Sequence, residues 1–146
     1  MIIKAISLWE PWASLIRAGL KRYETRHWKT NYRGPLLICA AVAARFTARE
    51  LRHMIGGMPD DFEMHFGHAV AIVDLVDCIP TETMTPELIG TDAPFGNFDP
   101  CRFAWKLENL QIIKPFPAKG RQGLFNVDVS DLVIIKPTSP GPTQYL

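Results

Sequence analysis

A chain of 146 residues, 47% of them hydrophobic, has the size and apolar content of one compact domain, and a net charge of +1 excludes a uniformly basic or acidic protein. No apolar run approaches the ~20 residues that span a bilayer, and no charged stretch followed by an apolar one resembles a leader, so a soluble, cytoplasmic protein is expected. Cys39, Cys78 and Cys101 are widely spaced and form no CxxC pair, which argues against bound zinc, a disulfide framework or thiol redox chemistry.

Ile2 to Ser7 reads as a first strand. Pro11 then stands where proline opens a helix, and Trp12, Leu15, Ile16 and Leu20 recur at helical spacing as a predicted core face that stops at Gly19. Lys21 to Arg26 is predicted to be extended and to run into a polar, aromatic loop from His27 to Gly34. The apolar run Pro35 to Ala41 reads as a buried strand. Thr47-Ala48-Arg49-Glu50 has the capping-box form and opens a second helix that Gly56-Gly57 ends. Residues 58–67 are expected to be a loop or a brief helix, and His68 to Ile79 a central strand.

Thr85-Pro86-Glu87-Leu88 predicts a single helical turn, and residues 90–101, crowded with Gly, Pro, Asp and Asn, a loop. Phe103 to Leu107 alternates as a half-buried strand, with Ile112-Ile113 and Leu124 to Val127 as two more. The last two flank a glycine-rich basic turn over residues 117–123. There is no internal repeat. Residues 1–136 are therefore predicted to form one domain of five to seven strands with two or three short helices, an α+β or small-barrel architecture, followed by an extended or disordered tail over 137–146.

Charge is unevenly distributed along the chain. Residues 1–52 hold ten Lys/Arg against three acids, residues 53–101 hold nine acids and no Lys or Arg, and the last 45 residues hold six basic and three acidic groups, giving +7, −9 and +3. Such blocks fit a basic face for a polyanionic partner, or halves that neutralise one another on folding.

Ser7-Leu8-Trp9-Glu10-Pro11-Trp12, the Ala18-Gly19-Leu20-Lys21 turn, Glu24-Thr25-Arg26 and Tyr32-Arg33-Gly34-Pro35 together resemble the ASCH domain, a PUA-like family. The resemblance is densest over about the first 35 residues and extends more weakly to residue 135. It implies a PUA-like small mixed β-barrel with a cleft beside the GxKxxExR motif, and binding of RNA, a nucleotide or a modified nucleoside. One small bacterial branch of the family hydrolyses the amide of N4-acetylcytidine. That branch has a threonine where this chain has Glu24, so the hydrolase mechanism does not transfer residue for residue.

On this reading Lys21 and Glu24 are the candidate chemical pair of an enzyme, an amidohydrolase or a ribonuclease. The same two residues, with Trp9, Arg26, Tyr32, Arg33, Lys119 and Arg121, are the candidate ligand contacts. Arginine forks suit phosphate, and Tyr23, His27, Trp28 and Tyr32 offer faces on which bases stack. Each residue also has a structural alternative: Lys21 as a cation paired with Glu24, Arg26 as the internal partner of Glu24, Trp12 as packing beneath the helix, and the 117–123 turn as an ordinary charged hairpin. That turn lacks P-loop spacing, and no nucleophile elbow is present. His65 and His68 would share one face only if residues 60–68 were helical, and with no catalytic glutamate between them no metal or other cofactor is expected. The acidic 60–99 segment allows a third reading, a protein-interaction face.

Overall fold

The computed structural model describes residues 1–44, 46–55 and 62–137. Seven strands form one mixed sheet: β1 (Ile2–Glu10), β2 (Tyr23–Arg26), β3 (Gly34–Ala44), β4 (His68–Pro80), β5 (Phe103–Pro117), β6 (Leu124–Asp128) and β7 (Ile134–Pro137). The strand order is β2-β5-β4-β3-β1-β6, with β7 also on β5. All ladders are antiparallel except β1 with β3, which run parallel from Lys4–Leu36 to Leu8–Ala40. β5 is long enough to take β2 along its first residues and β7 along Gln111 to Ile113. This is the expected α+β class in an open form, since among the described residues no ladder joins β2 to β6.

The run Leu36 to Ala40 is apolar without a break because the sheet is covered on both faces. With side chains alternating along the strand, Leu36, Ile38 and Ala40 enter one core with Ile6, Leu8, Val73, Leu75 and Trp105. Leu37 and Cys39 enter a second core with Ala5, Ala69, Ile113 and Val129. Burial with no compensating partner pushes the Cys39 thiol pKa up to about 12, so it stays protonated.

Helix α1 (Trp12–Arg17) covers the first core with Ala13 and Ile16. It begins one residue later than expected: Pro11 caps it, after a cis Glu10–Pro11 bond. It also ends early, at Arg17, with Gly19 at φ +78, so Leu20 falls outside the helical phase and is 37% exposed instead of facing the core. Glu10 is fully buried and accepts from the Ser14 N–H at 2.9 Å, the Ser14 hydroxyl and the His65 N–H at 2.7 Å. Helix α2 (Ala48–Ile55) has the predicted reciprocal cap, with the Thr47 N–H donating to Glu50 at 2.8 Å and the Glu50 N–H donating to the Thr47 hydroxyl at 3.1 Å. Its expected stop at Gly56-Gly57 lies outside the described residues. The predicted turn is α3 (Pro86–Ile89), capped by the Thr85 hydroxyl.

Three expectations change. Residues 90–101 are not wholly irregular: Gly90–Phe95 is a 3₁₀ segment that buries Asp92 and Phe95. The two strands expected over 103–108 and 112–113 are one, because β5 continues through Asn109, which takes φ +53, and three register shifts. β7 was not foreseen; the extended chain begins before the predicted tail, whose residues 138–146 lie outside the described part. No helix among the described residues is long and apolar enough to cross a membrane.

Candidate functional site

Because β1 and β3 are parallel, their C-terminal ends lie side by side, and there the register slips from Leu8–Ala40 to Glu10–Ala44. A bulge of this kind bends the strand and re-aims its side chains. Trp9 is 48% exposed and Val42 83% exposed at this end of the sheet. Both line a cleft of about 1140 Å³. Ser7 and Ala40–Ala41 form its floor, Arg26 enters from the end of β2 with His27 and Trp28 from the segment that follows, and residues 117–123 form the opposite wall.

The basic turn is fastened from below. The Ala118 N–H donates to the Gly67 carbonyl at 3.0 Å, and a Cβ on Gly120 would come within 2.5 Å of Ser7 Oγ. A larger residue at 120 would require the Ser7 side chain or the turn to shift, so glycine there lets the turn that carries Lys119 and Arg121 lie close on β1. The cleft thus has three permanent cations, Arg26, Lys119 and Arg121, three flat rings, Trp9, His27 and Trp28, and, among the described residues, no acid in its lining. Trp28 is half-buried and meets the fully buried Trp105 edge-on, with centroids 4.7 Å apart.

Among the described residues, the acidic middle block of the sequence contributes Gly67 alone to this lining. Part of that block neutralises basic residues instead. Asp92 is fully buried and accepts from the Arg22 and Tyr23 N–H groups at 2.9 Å, with Arg22 Nε at 3.5 Å; Asp77 lies 4.0 Å from Arg33.

The eight sequence-predicted residues therefore separate into three groups. Trp9, Arg26, Lys119 and Arg121 meet in the cleft. Lys21 and Glu24 sit beneath it, outside the lining. The Lys21 side chain is 1% exposed, its ammonium donates to the Phe95 carbonyl, lies 3.7 Å from Glu24 and sits 5.6 Å from the centre of the Trp12 ring. Burial lowers its pKa, opposed by the negative charges of Glu24 and Asp92. Glu24 in turn accepts from Arg26 Nε at 2.9 Å. Tyr32 and Arg33 turn back on their own loop: the Tyr32 hydroxyl donates to the Pro35 carbonyl, and Arg33 Nη1 to the carbonyls of Thr30 and Tyr32 at 3.0 and 2.8 Å.

Of the rings named as stacking candidates, His27 and Trp28 reach the cleft, whereas Tyr23 is buried under Phe98. Sequence reasoning did not find Ser7, Val42 or Gly67; their place depends on the bulge and the turn anchor, which leave no local signature. Residues 62–65 are not helical, so the shared face imagined for His65 and His68 does not form, and His68 Nδ1 lies 2.8 Å from the Phe66 carbonyl. Among the described residues no group of three His, Cys, Asp or Glu is placed to hold a metal ion.

Comparison with known proteins gives a consistent result. The family model for the ASCH domain matches residues 6–112. Activating signal cointegrator 1 from Homo sapiens is 30% identical over 132 residues, covering 84% of this chain and 22% of that protein. The Mus musculus protein of that name is 29% identical over 133 residues, with the same coverage. This chain thus spans under a quarter of the length of these relatives. Among solved structures, ASCH from Zymomonas mobilis superposes with a TM-score of 0.56 at 17% identity, over 86% of this chain and 87% of that one.

Proposed function

From the premise that this chain belongs to the ASCH domain family, we propose that it binds RNA or a nucleotide-like ligand in the cleft between the β1–β3 end and the 117–123 turn. The observation that carries this reading is the lining itself: Arg26, Lys119 and Arg121 beside Trp9, His27 and Trp28, with no carboxylate among the described lining residues. Cations alone attract any anion, and rings alone pack against any apolar surface. The two interleaved suit a strand of phosphates with accessible bases, where each stacked base contributes about 1–3 kcal/mol.

Binding of a fluorescein-labelled oligouridylate, followed by anisotropy across a salt series, tests the proposal. If the three cations each displace one counterion, the slope of log affinity against log salt is about −2, so binding weakens roughly twentyfold between about 50 and 200 mM salt. Binding that ignores salt would remove the phosphate contacts from the reading.

A second reading, amide hydrolysis of an N-acylated nucleoside through Lys21 and Glu24, has one observation in its favour. A dry ammonium with a lowered pKa beside a carboxylate is suited to proton transfer. Turnover of N4-acetylcytidine that disappears in Lys21→Ala is its expected signature, followed by chromatography of the products. No turnover by the wild type, or turnover that survives the substitution, removes Lys21 from any such chemistry.

A further inference from the structure

Beneath the cleft, Lys21, Glu24 and Arg26 form a line of alternating charge in which only the last member reaches the lining. Arg26 is the most exposed of the three, with 26% of its side chain accessible against 12% for Glu24 and 1% for Lys21. Its Nε donates to Glu24 at 2.9 Å, and its Nη2 reaches the Ser7 carbonyl at 3.4 Å. Two edges of the guanidinium are thereby fixed, while among the described residues no hydrogen bond from Nη1 accompanies them.

A carboxylate that orients an arginine ordinarily also cancels its charge, which would defeat an arginine meant for phosphate. Here Lys21 stands on the far side of the same carboxylate. The three groups together carry +1, displaced toward the cleft. Lys21 is in turn tied to a distant part of the chain through the Phe95 carbonyl, so the line has a fixed base.

We propose that Glu24 is a positioning residue that clamps Arg26 in the cleft, and that buried Lys21 compensates Glu24 so that Arg26 keeps its positive charge for an incoming phosphate. This rests on the cleft's binding a phosphate-bearing ligand, and neither Lys21 nor Glu24 then touches that ligand. A planar fork held at two points loses less freedom on binding than a free one, which is how a residue out of reach of the ligand contributes to affinity.

The test is a double-mutant cycle on the full chain with the same oligouridylate, measured by anisotropy, with thermal melting of each variant alongside. Glu24→Gln keeps the shape of the side chain but loses the charged clamp, and is expected to weaken binding about tenfold with the salt slope unchanged. In an Arg26→Ala background the same change is expected to cost nothing further, because the group it positions is gone. Arg26→Lys keeps the charge without the fork and is expected to lose about as much as Glu24→Gln, which keeps the proposal testable should Glu24→Gln fail to fold. Equal cost of Glu24→Gln with and without Arg26, or wild-type binding by Glu24→Gln or by Arg26→Lys, overturns the positioning role. Absence of binding by the wild-type chain overturns the reading of the cleft instead.

Discussion

Replacing Arg26, Lys119 and Arg121 together by alanine is expected to weaken oligouridylate binding by about three orders of magnitude and to flatten its salt dependence. Hydrogen bonds to a charged partner contribute about 1.5–3 kcal/mol each, and the lower end suits groups as open to water as Lys119 and Arg121. Three such contacts at about 1.5 kcal/mol each, with about 1.4 kcal/mol per tenfold, give this figure. The fold itself should tolerate the change. Lys119 and Arg121 are exposed on a turn anchored by backbone and glycine, and Arg26 is the outermost member of its charge line. Melting temperature therefore separates lost binding from lost structure. A triple variant that melts like the wild type and binds like it would mean that the ligand lies elsewhere.

Trp105→Ala is expected to have the largest effect on stability, about 3–5 kcal/mol, and to lower the melting temperature by roughly 10–15 °C. Trp105 is fully buried at the centre of the first core, and its ring supports Trp28 edge-on. Its indole Nε1–H is also the single buried side-chain donor or acceptor without a hydrogen-bond partner among the described residues. An unpaired buried donor costs about 1–3 kcal/mol, so the tryptophan stabilises the core through its area and weakens it through its nitrogen. Trp105→Phe removes the donor along with part of the ring, and its net cost is expected to be about 1 kcal/mol or less. Thermal unfolding followed by near-ultraviolet circular dichroism distinguishes the two variants. A phenylalanine variant as unstable as the alanine one would show that the donor is satisfied in solution.

The parts of this architecture legible in the sequence are those set by neighbouring residues. The Thr47–Glu50 box, the Thr85 cap and the stop at Gly19 each depend on groups within four positions, and each is present. The alternating face of Phe103 to Leu107 was readable for the same reason. Alternation lapses at Glu108-Asn109, where a residue at positive φ shifts the register, and one strand looked like two.

The site followed the same division. The 19–35 motif marked Arg26, and glycine-flanked charge marked Lys119 and Arg121, all of which meet in the cleft. Nothing local to Lys21 shows that a carbonyl 74 positions away takes its ammonium, and nothing local to Tyr32 and Arg33 distinguishes a loop that folds on itself from one that faces ligand. The turn at 117–123 also lies beyond residue 112, where the match to the family model ends, so one wall of the cleft is outside the motif that identified the other.

The first strand of the sheet in chain order is among the last to be completed. β1 sits between β3 and β6, and its ladder with β6 joins Ile2 to Asp128. At about 5–20 residues per second on a ribosome, roughly 6 to 25 seconds separate synthesis of β1 from that of its second neighbour. Through that interval one edge of β1 is unpaired, with Ile6, buried in the finished fold, without its full cover, a state prone to pairing with other chains. The wall that carries Lys119 and Arg121 is made immediately before β6, so sheet closure over β1 and assembly of the cleft are late and nearly simultaneous events. A nascent chain halted before residue 117 would have neither.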